Sequence, residues 1–175
     1  RSLTMIARDG ADVFYRGEIA DKIDADMREN GGLIRRADLE AYRTTQVDPL
    51  RGSYRGFDIA TNHPPGGGIM LVEMLNILEN FDLSAIGHNS TEYIRIVAEA
   101  MKAATADKDT CVGDPSFVDI PDYLTEKVYA AEIADRIRSG ERMLVTRLGQ
   151  PEPKDTTHVV VVDKAGMCVT MTHSL

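Results

Sequence analysis

The sequence predicts an α+β fold, helix-rich as far as Gly140 and closed by a C-terminal β-hairpin. Three observations carry this expectation. Apolar residues recur at three-to-five-residue steps in several stretches before Gly140, the signature of helices that bury one face. A polar, proline-punctuated connector, Gln150-Pro151-Glu152-Pro153-Lys154, runs into the β-branched segment Thr156-Thr157-His158-Val159-Val160-Val161-Val162, as a loop entering a strand does. Asp163-Lys164-Ala165-Gly166 then separates two strand-like runs, Thr157–Asp163 and Met167–Ser174, with glycine where a hairpin turn needs it.

Taken in order, Asp9-Gly10-Ala11 is a turn. Val13, Phe14, Ile19, Ile23 and Met27 then mark an amphipathic helix over most of Glu18 to Asn30, stopped by Asn30-Gly31-Gly32. Arg35–Tyr42 reads as a short surface helix. Around Arg51–Ala60, two extended pieces flank a turn, with Phe57, Ile59 and Thr61 on a half-buried side.

His63-Pro64-Pro65-Gly66-Gly67-Gly68 follows, and Ile69–Glu79 is apolar nearly all round, hence a buried helix. A glycine turn opening a helix can hold an anion. This one has neither GxGxxG spacing nor the Lys-Ser/Thr ending of a P-loop, so close backbone packing is its expected use. Asn89-Ser90-Thr91-Glu92 caps an alanine-rich helix to about Ala106. Gly113-Asp114-Pro115 and Ile120-Pro121 break the chain. A last helix runs from Leu124 through Tyr129, Ile133 and Ile137 to Ser139-Gly140, and Arg142–Pro153 reads as a mobile linker.

Composition narrows the function classes. The chain has 175 residues and a formal net charge of −8, a balance that disfavours nucleic acid and anionic membranes as partners. Its longest apolar run, Val159–Val162, is far too short to span a bilayer. Cys111 and Cys168 match no metal spacing and read as free thiols. The start at Arg1 shows no signal-peptide layout and sets no compartment. Both ends look cut from a longer polypeptide, because Thr172-His173-Ser174-Leu175 stops within a strand-like segment.

The chemistry turns on Thr156. A threonine at a strand mouth is an ordinary strand former. It becomes a nucleophile if the bond before it is cut and its own α-amine serves as base. A type I turn with a left-handed glycine at Gly166 makes opposed residue numbers sum to 330, so Thr156 lies opposite Ser174. Opposed Cβ atoms sit about 4.5–5.5 Å apart, which brings a second hydroxyl beside Thr156. A two-residue loop would pair Thr156 with His173 instead. His158 and His173 are base candidates with no carboxylate partner in the sequence.

At these residues the chain resembles the gamma-glutamyltranspeptidase family of N-terminal-nucleophile hydrolases. Asp155-Thr156-Thr157-His158…Val161-Val162-Asp163…Gly166 is similar to that family's processing site and the first hairpin of its small subunit. Phe14-Tyr15-Arg16-Gly17, Asp38-Leu39…Tyr42, Pro49-Leu50…Tyr54-Arg55-Gly56 and Pro64-Pro65…Gly67-Gly68 precede it in the family's order. So do Leu75-Asn76-Ile77-Leu78-Glu79, Glu99-Ala100…Lys102…Ala106-Asp107 and Gly113-Asp114-Pro115.

The resemblance implies a partial αββα sandwich, helices outside and strands inside. Residues 1–155 would form the C-terminal part of the large subunit, with 142–155 linking to the processing site, and 156–175 the start of the small one. It implies self-cleavage between Asp155 and Thr156, Thr156 as nucleophile with its freed α-amine as base, and Ser174 as a hydroxyl supporting it. It implies no cofactor or metal. The substrates would be gamma-glutamyl compounds such as glutathione, with an amino acid or water as acceptor. The rest of the polypeptide would be the other partner. The family's arginine for the substrate carboxylate lies upstream of this stretch, and its oxyanion-hole serines lie downstream. The 175 residues alone are therefore expected to be inactive. The resemblance allows a periplasmic or extracellular location.

The chain departs from the family's pattern at the shortened Pro64–Gly68 turn, at Lys108 for arginine, at Ser174 for threonine, and at Met167-Cys168. These departures keep a cephalosporin-acylase-like amidase open, beside a non-enzymatic structural fragment in which Thr156 stays uncut.

Overall fold

The computed structural model describes residues 1–146 and 156–174. The chain divides into two compact units, Arg1–Asp48 and Pro49–Leu175.

The first unit is helical: α1 (Ser2–Asp9), α2 (Asp12–Tyr15), α3 (Glu18–Glu29) and α4 (Arg36–Ala41). Helix α1 has no counterpart in the sequence expectations. Helix α3 buries Ile19 and Ala20 and carries acidic residues in its first turn and Arg28 in its last, which matches the helix dipole. Gly17 admits α2 beside it, because a Cβ there would meet Val13 Cα at 2.9 Å. Helix α4 starts where the Arg35 amide donates to Asp38 Oδ2 at 2.8 Å and the Arg36 amide donates to Asp24 Oδ1 at 3.1 Å. Tyr15 and Tyr42 stack at 5.5 Å.

The second unit opens with an antiparallel pair, β1 (Leu50–Tyr54) and β2 (Phe57–Thr61). Arg55 and Gly56 both have positive φ, 49° and 83°, as a two-residue hairpin turn requires. Phe57, expected half-buried, is exposed beside that turn. Gly52 lets β1 lie on the next helix, since its Cβ would stand 2.9 Å from Val72 Cγ1.

That helix, α5 (Gly68–Leu78), is not buried all round. One stripe is buried (Ile69, Val72, Glu73, Asn76, Ile77), whereas Leu71 is exposed. A short α6 (Leu83–Ile86) leads to α7 (Thr91–Cys111), where Ser90 Oγ accepts from the Tyr93 amide at 3.1 Å. A 3₁₀ turn, Asp122–Thr125, precedes α8 (Lys127–Arg138). The core lies among α5, α7 and α8: Ile77, Phe81, Ile96, Ala100, Ala103, Ala130, Ile133, Ala134, Ile137 and Met143. The alanines allow the helices to approach closely, and each buried isoleucine contributes about 1.5–3 kcal/mol.

Met143 falls in the segment expected to be a mobile linker. It is buried, and its amide donates to Glu99 Oε2 at 2.7 Å. The remainder of that expected linker, residues 147–153, lies outside the described residues. The chain ends in β3 (Thr156–Val162) and β4 (Cys168–Ser174), antiparallel and paired only with each other among the described residues. Val160, Val161, Val162, Val169 and Met171 are more than half exposed.

Candidate functional site

The turn that builds the hairpin is set by two residues. Asp163 Oδ1 accepts from the amides of Ala165 (2.8 Å) and Met167 (2.9 Å), an aspartate mimicking a backbone turn. Gly166 stands at φ +86°, a region glycine enters without steric cost. Its amide donates to the Asp163 carbonyl at 3.0 Å, and the Asp163 amide donates to the Met167 carbonyl at 3.0 Å.

From that turn the ladder runs Val162↔Cys168, Val160↔Thr170, His158↔Thr172 and Thr156↔Ser174, with Thr157↔His173 between the last two. The opposed numbers sum to 330 throughout, and the alternative pairing of Thr156 with His173 does not occur. Thr156 is thus the first residue of β3, exposed, and Ser174 occupies the register position opposite it. Asp155 lies outside the described residues.

Strand alternation places Thr156, His158, Thr170, Thr172 and Ser174 on one face, and Thr157 and His173 on the other. His158, considered in the sequence only as a base candidate, joins the face of Thr156. Its Nδ1 lies 2.7 Å from Thr172 Oγ1, and either atom can donate. Cys111 and Cys168 are free thiols.

The glycine turn before α5 serves packing. A Cβ at Gly68 would meet the Asn62 carbonyl oxygen at 2.1 Å.

A second polar cluster escaped the sequence expectations. Glu73 is 1% exposed in the middle of the unit. Desolvation, then a hydrogen bond with Asp107 and its charge, push the Glu73 carboxyl up to about 9. Tyr129 Oη donates to Asp107 Oδ2 at 2.7 Å, and burial followed by that bond raises the phenol as well. Glu73 Oε1 and Asn76 Oδ1 have no partner within the described residues, although Asn76 Nδ2 donates to the Thr125 carbonyl at 2.8 Å. Asp107 and Tyr129 also line a cleft of about 270 Å³ with Arg136, Glu141, Met143 and Leu144. The one available signal was Glu73 itself, a single charge in an otherwise uncharged helix. Among the described residues no group of three or more His, Cys, Asp or Glu side chains is arranged to hold a metal ion. No helix there is long and apolar enough to cross a membrane.

Comparison with known proteins covers the hairpin and the helices together. The family model for gamma-glutamyltranspeptidase matches residues 1–175. The glutathione hydrolase proenzyme of Escherichia coli (strain K12) is 44% identical over all of this chain, which spans 31% of that relative's length. The acylase ACY 1 proenzyme of Pseudomonas sp. (strain SE83) is 40% identical over 99% of the chain, again spanning 32% of the relative. The crystal structure of Helicobacter pylori gamma-glutamyltranspeptidase superimposes with a TM-score of 0.74 at 42% identity, covering 83% of this chain and 41% of that one. The chain thus spans about a third of the length of the curated relatives it matches. Its fold is α+β, part of the layered sandwich of N-terminal-nucleophile hydrolases. By a family match over its whole length, the chain belongs to the gamma-glutamyltranspeptidase family.

Proposed function

We propose that the gene product carrying this chain is a self-processing threonine amidase that hydrolyses or transfers gamma-glutamyl groups from amides such as glutathione. The observation that carries the reading is the register placing Ser174 opposite Thr156 at the open end of the hairpin, in a chain whose relatives are named as proenzymes.

The Thr156 hydroxyl attacks the Asp155 carbonyl, and the peptide becomes an ester as the Thr156 nitrogen leaves with a proton. Water then cleaves the ester, giving an Asp155 carboxylate and returning the Thr156 hydroxyl beside its now free α-amine. An α-amine titrates near 7.7–8.0, so it can take the hydroxyl proton in the next reaction at neutral pH. Thr156 then attacks the gamma-glutamyl amide, the amine leaves with that proton, and an acyl-enzyme remains for water or an amino acid to resolve. Ser174 supports the attacking hydroxyl as a hydrogen-bonding neighbour. Residues 1–155 belong to the large-subunit side of the cut and 156–175 to the small-subunit side. The acceptor and the rest of the polypeptide are the partners. The 175 residues alone are inactive on this reading.

The test is mass spectrometry of the full-length gene product. Two chains meeting at Asp155/Thr156, abolished by Thr156→Ala, support the reading. A product that stays uncut under all conditions replaces it with a structural role. The likeness to the solved cephalosporin acylase from Bacillus halodurans, at 32% identity, favours a second substrate class, the side-chain amides of beta-lactams. A panel of gamma-glutamyl and beta-lactam amides decides between them.

A further inference from the structure

Among the described residues, Thr156 and Ser174 are the opposed pair farthest from the turn, and β3 and β4 pair with no other described strand. On the reading above, self-cleavage makes Thr156 a chain end, with no residue before it to hold it in register.

One pleat in from that end, the side chains add a tie that the backbone ladder does not supply. His158 and Thr172 are directly opposed and joined at 2.7 Å. A valine at 158 would suit a strand composed as this one is. The imidazole interrupts the valine run, and its cross-strand partner gives it a place there. Residues two apart on a strand stand about 6.7 Å apart, and diagonal cross-strand positions about 7–8 Å, within reach of an aromatic side chain.

We propose that His158, held by Thr172, is a positioning residue that clamps the open end of the hairpin and keeps Thr156 opposed to Ser174. This rests on the assignment of Thr156 as nucleophile. The clamp matters most after cleavage, so turnover depends on it more than substrate affinity does.

The test uses the full-length gene product with His158→Ala, His158→Gln, Thr172→Val, Thr172→Ser and the double variant His158→Ala/Thr172→Val. Self-cleavage is followed by mass spectrometry, and kcat and KM are measured with a gamma-glutamyl anilide on the folded, cleaved fraction. A misplaced reacting group lowers rates by up to about a hundredfold. His158→Ala and Thr172→Val are each expected to lower kcat about tenfold, with KM within about twofold of the parent. Thr172→Ser and His158→Gln retain a group that can close the bond and are expected to keep kcat within about twofold. The double variant should be no slower than either single one, as coupled residues behave.

Additive losses, or full kcat in every folded and cleaved variant, overturn the proposal. So does an equal loss in the two conservative variants, which also answers the case in which Thr172→Val or His158→Ala fails to fold. The Thr156 assignment fails by a separate sign: cleavage and turnover that survive Thr156→Ala.

Discussion

Tyr129 gives its hydroxyl hydrogen bond to Asp107 Oδ2 at 2.7 Å, and so ties α8 to α7, whose Asp107 helps to raise the carboxyl of buried Glu73. A carboxyl desolvated beside a second carboxyl holds its proton more tightly than one in water. Folding therefore favours protonated Glu73.

The pH consequence has a definite sign. The Glu73 carboxyl is raised from 4.5 to about 9 on folding. Its favourable contribution is complete below about 4.5 and is lost as pH rises through 9. In Glu73→Gln, whose side chain carries no titrating proton, that dependence disappears. Urea unfolding across this window should show the parent losing stability relative to the variant by up to about 1.4 kcal/mol per pH unit. Parallel stability curves would sink this account of Glu73.

Tyr129→Phe removes the donor and leaves the Asp107 carboxyl short of a partner beside Glu73. A stability loss of about 0.5–1.5 kcal/mol is expected, the net worth of a hydrogen bond, because Asp107 is only half-buried. Thermal melting measures it, and a loss confined to a few tenths would show that solvent in the neighbouring cleft replaces the phenol.

Gly68→Ala is expected to destabilise by about 1–3 kcal/mol, the range for forcing an added carbon into a filled space. The new methyl would meet the Asn62 carbonyl oxygen at 2.1 Å, a backbone atom rather than a flexible side-chain end. Gly67→Ala, at which nothing lies within 4 Å, is the control and should melt with the parent.

Gly166→Val puts a β-branched residue at φ +86°, a strain of about 1–3 kcal/mol. Self-cleavage of the full-length gene product should slow, because the turn sets which residue faces Thr156. Gly166→Asn, better tolerated at positive φ, should cleave nearer the parent rate. Equal rates in both variants would mean that the register is held elsewhere.

Glu99 accepts from the Met143 amide and from Lys102 Nζ, both at 2.7 Å. Desolvation pushes its carboxyl up, but these two bonds together with the charges of Lys102 and Arg95 outweigh it and hold the group below its ordinary range. Glu99→Ala should speed proteolytic cleavage just beyond α8, read by timed digestion. Unchanged cutting would show that burial of Met143 anchors the segment by itself.

How much of this was legible depends on how local the cause was. The hairpin register was readable because one turn, fixed by Asp163 and Gly166, sets every opposed pair. Helices α3, α7 and α8 were readable from their spacing, although α7 runs on to Cys111, its last turn of Lys108, Asp109 and Thr110 facing solvent as a helix end does. Helix α1 was missed because no residue of it is buried, so no core face announces it. Helix α5 misled in the opposite sense. Its even apolarity suggested uniform burial, but partners from distant elements, Asp107 and Thr125, drew Glu73 and Asn76 inward. The His158–Thr172 bond follows from register and chemistry together, and neither was visible in periodicity alone.

The four-residue turn at Asp163–Gly166 has a consequence for the timing of folding. Strands joined this closely meet within about 1–10 μs, whereas contacts between distant segments close later, after a larger loss of chain entropy. The opposition of Thr156 and Ser174 is thus encoded in under twenty consecutive residues. That register needs no long-range contact to be found.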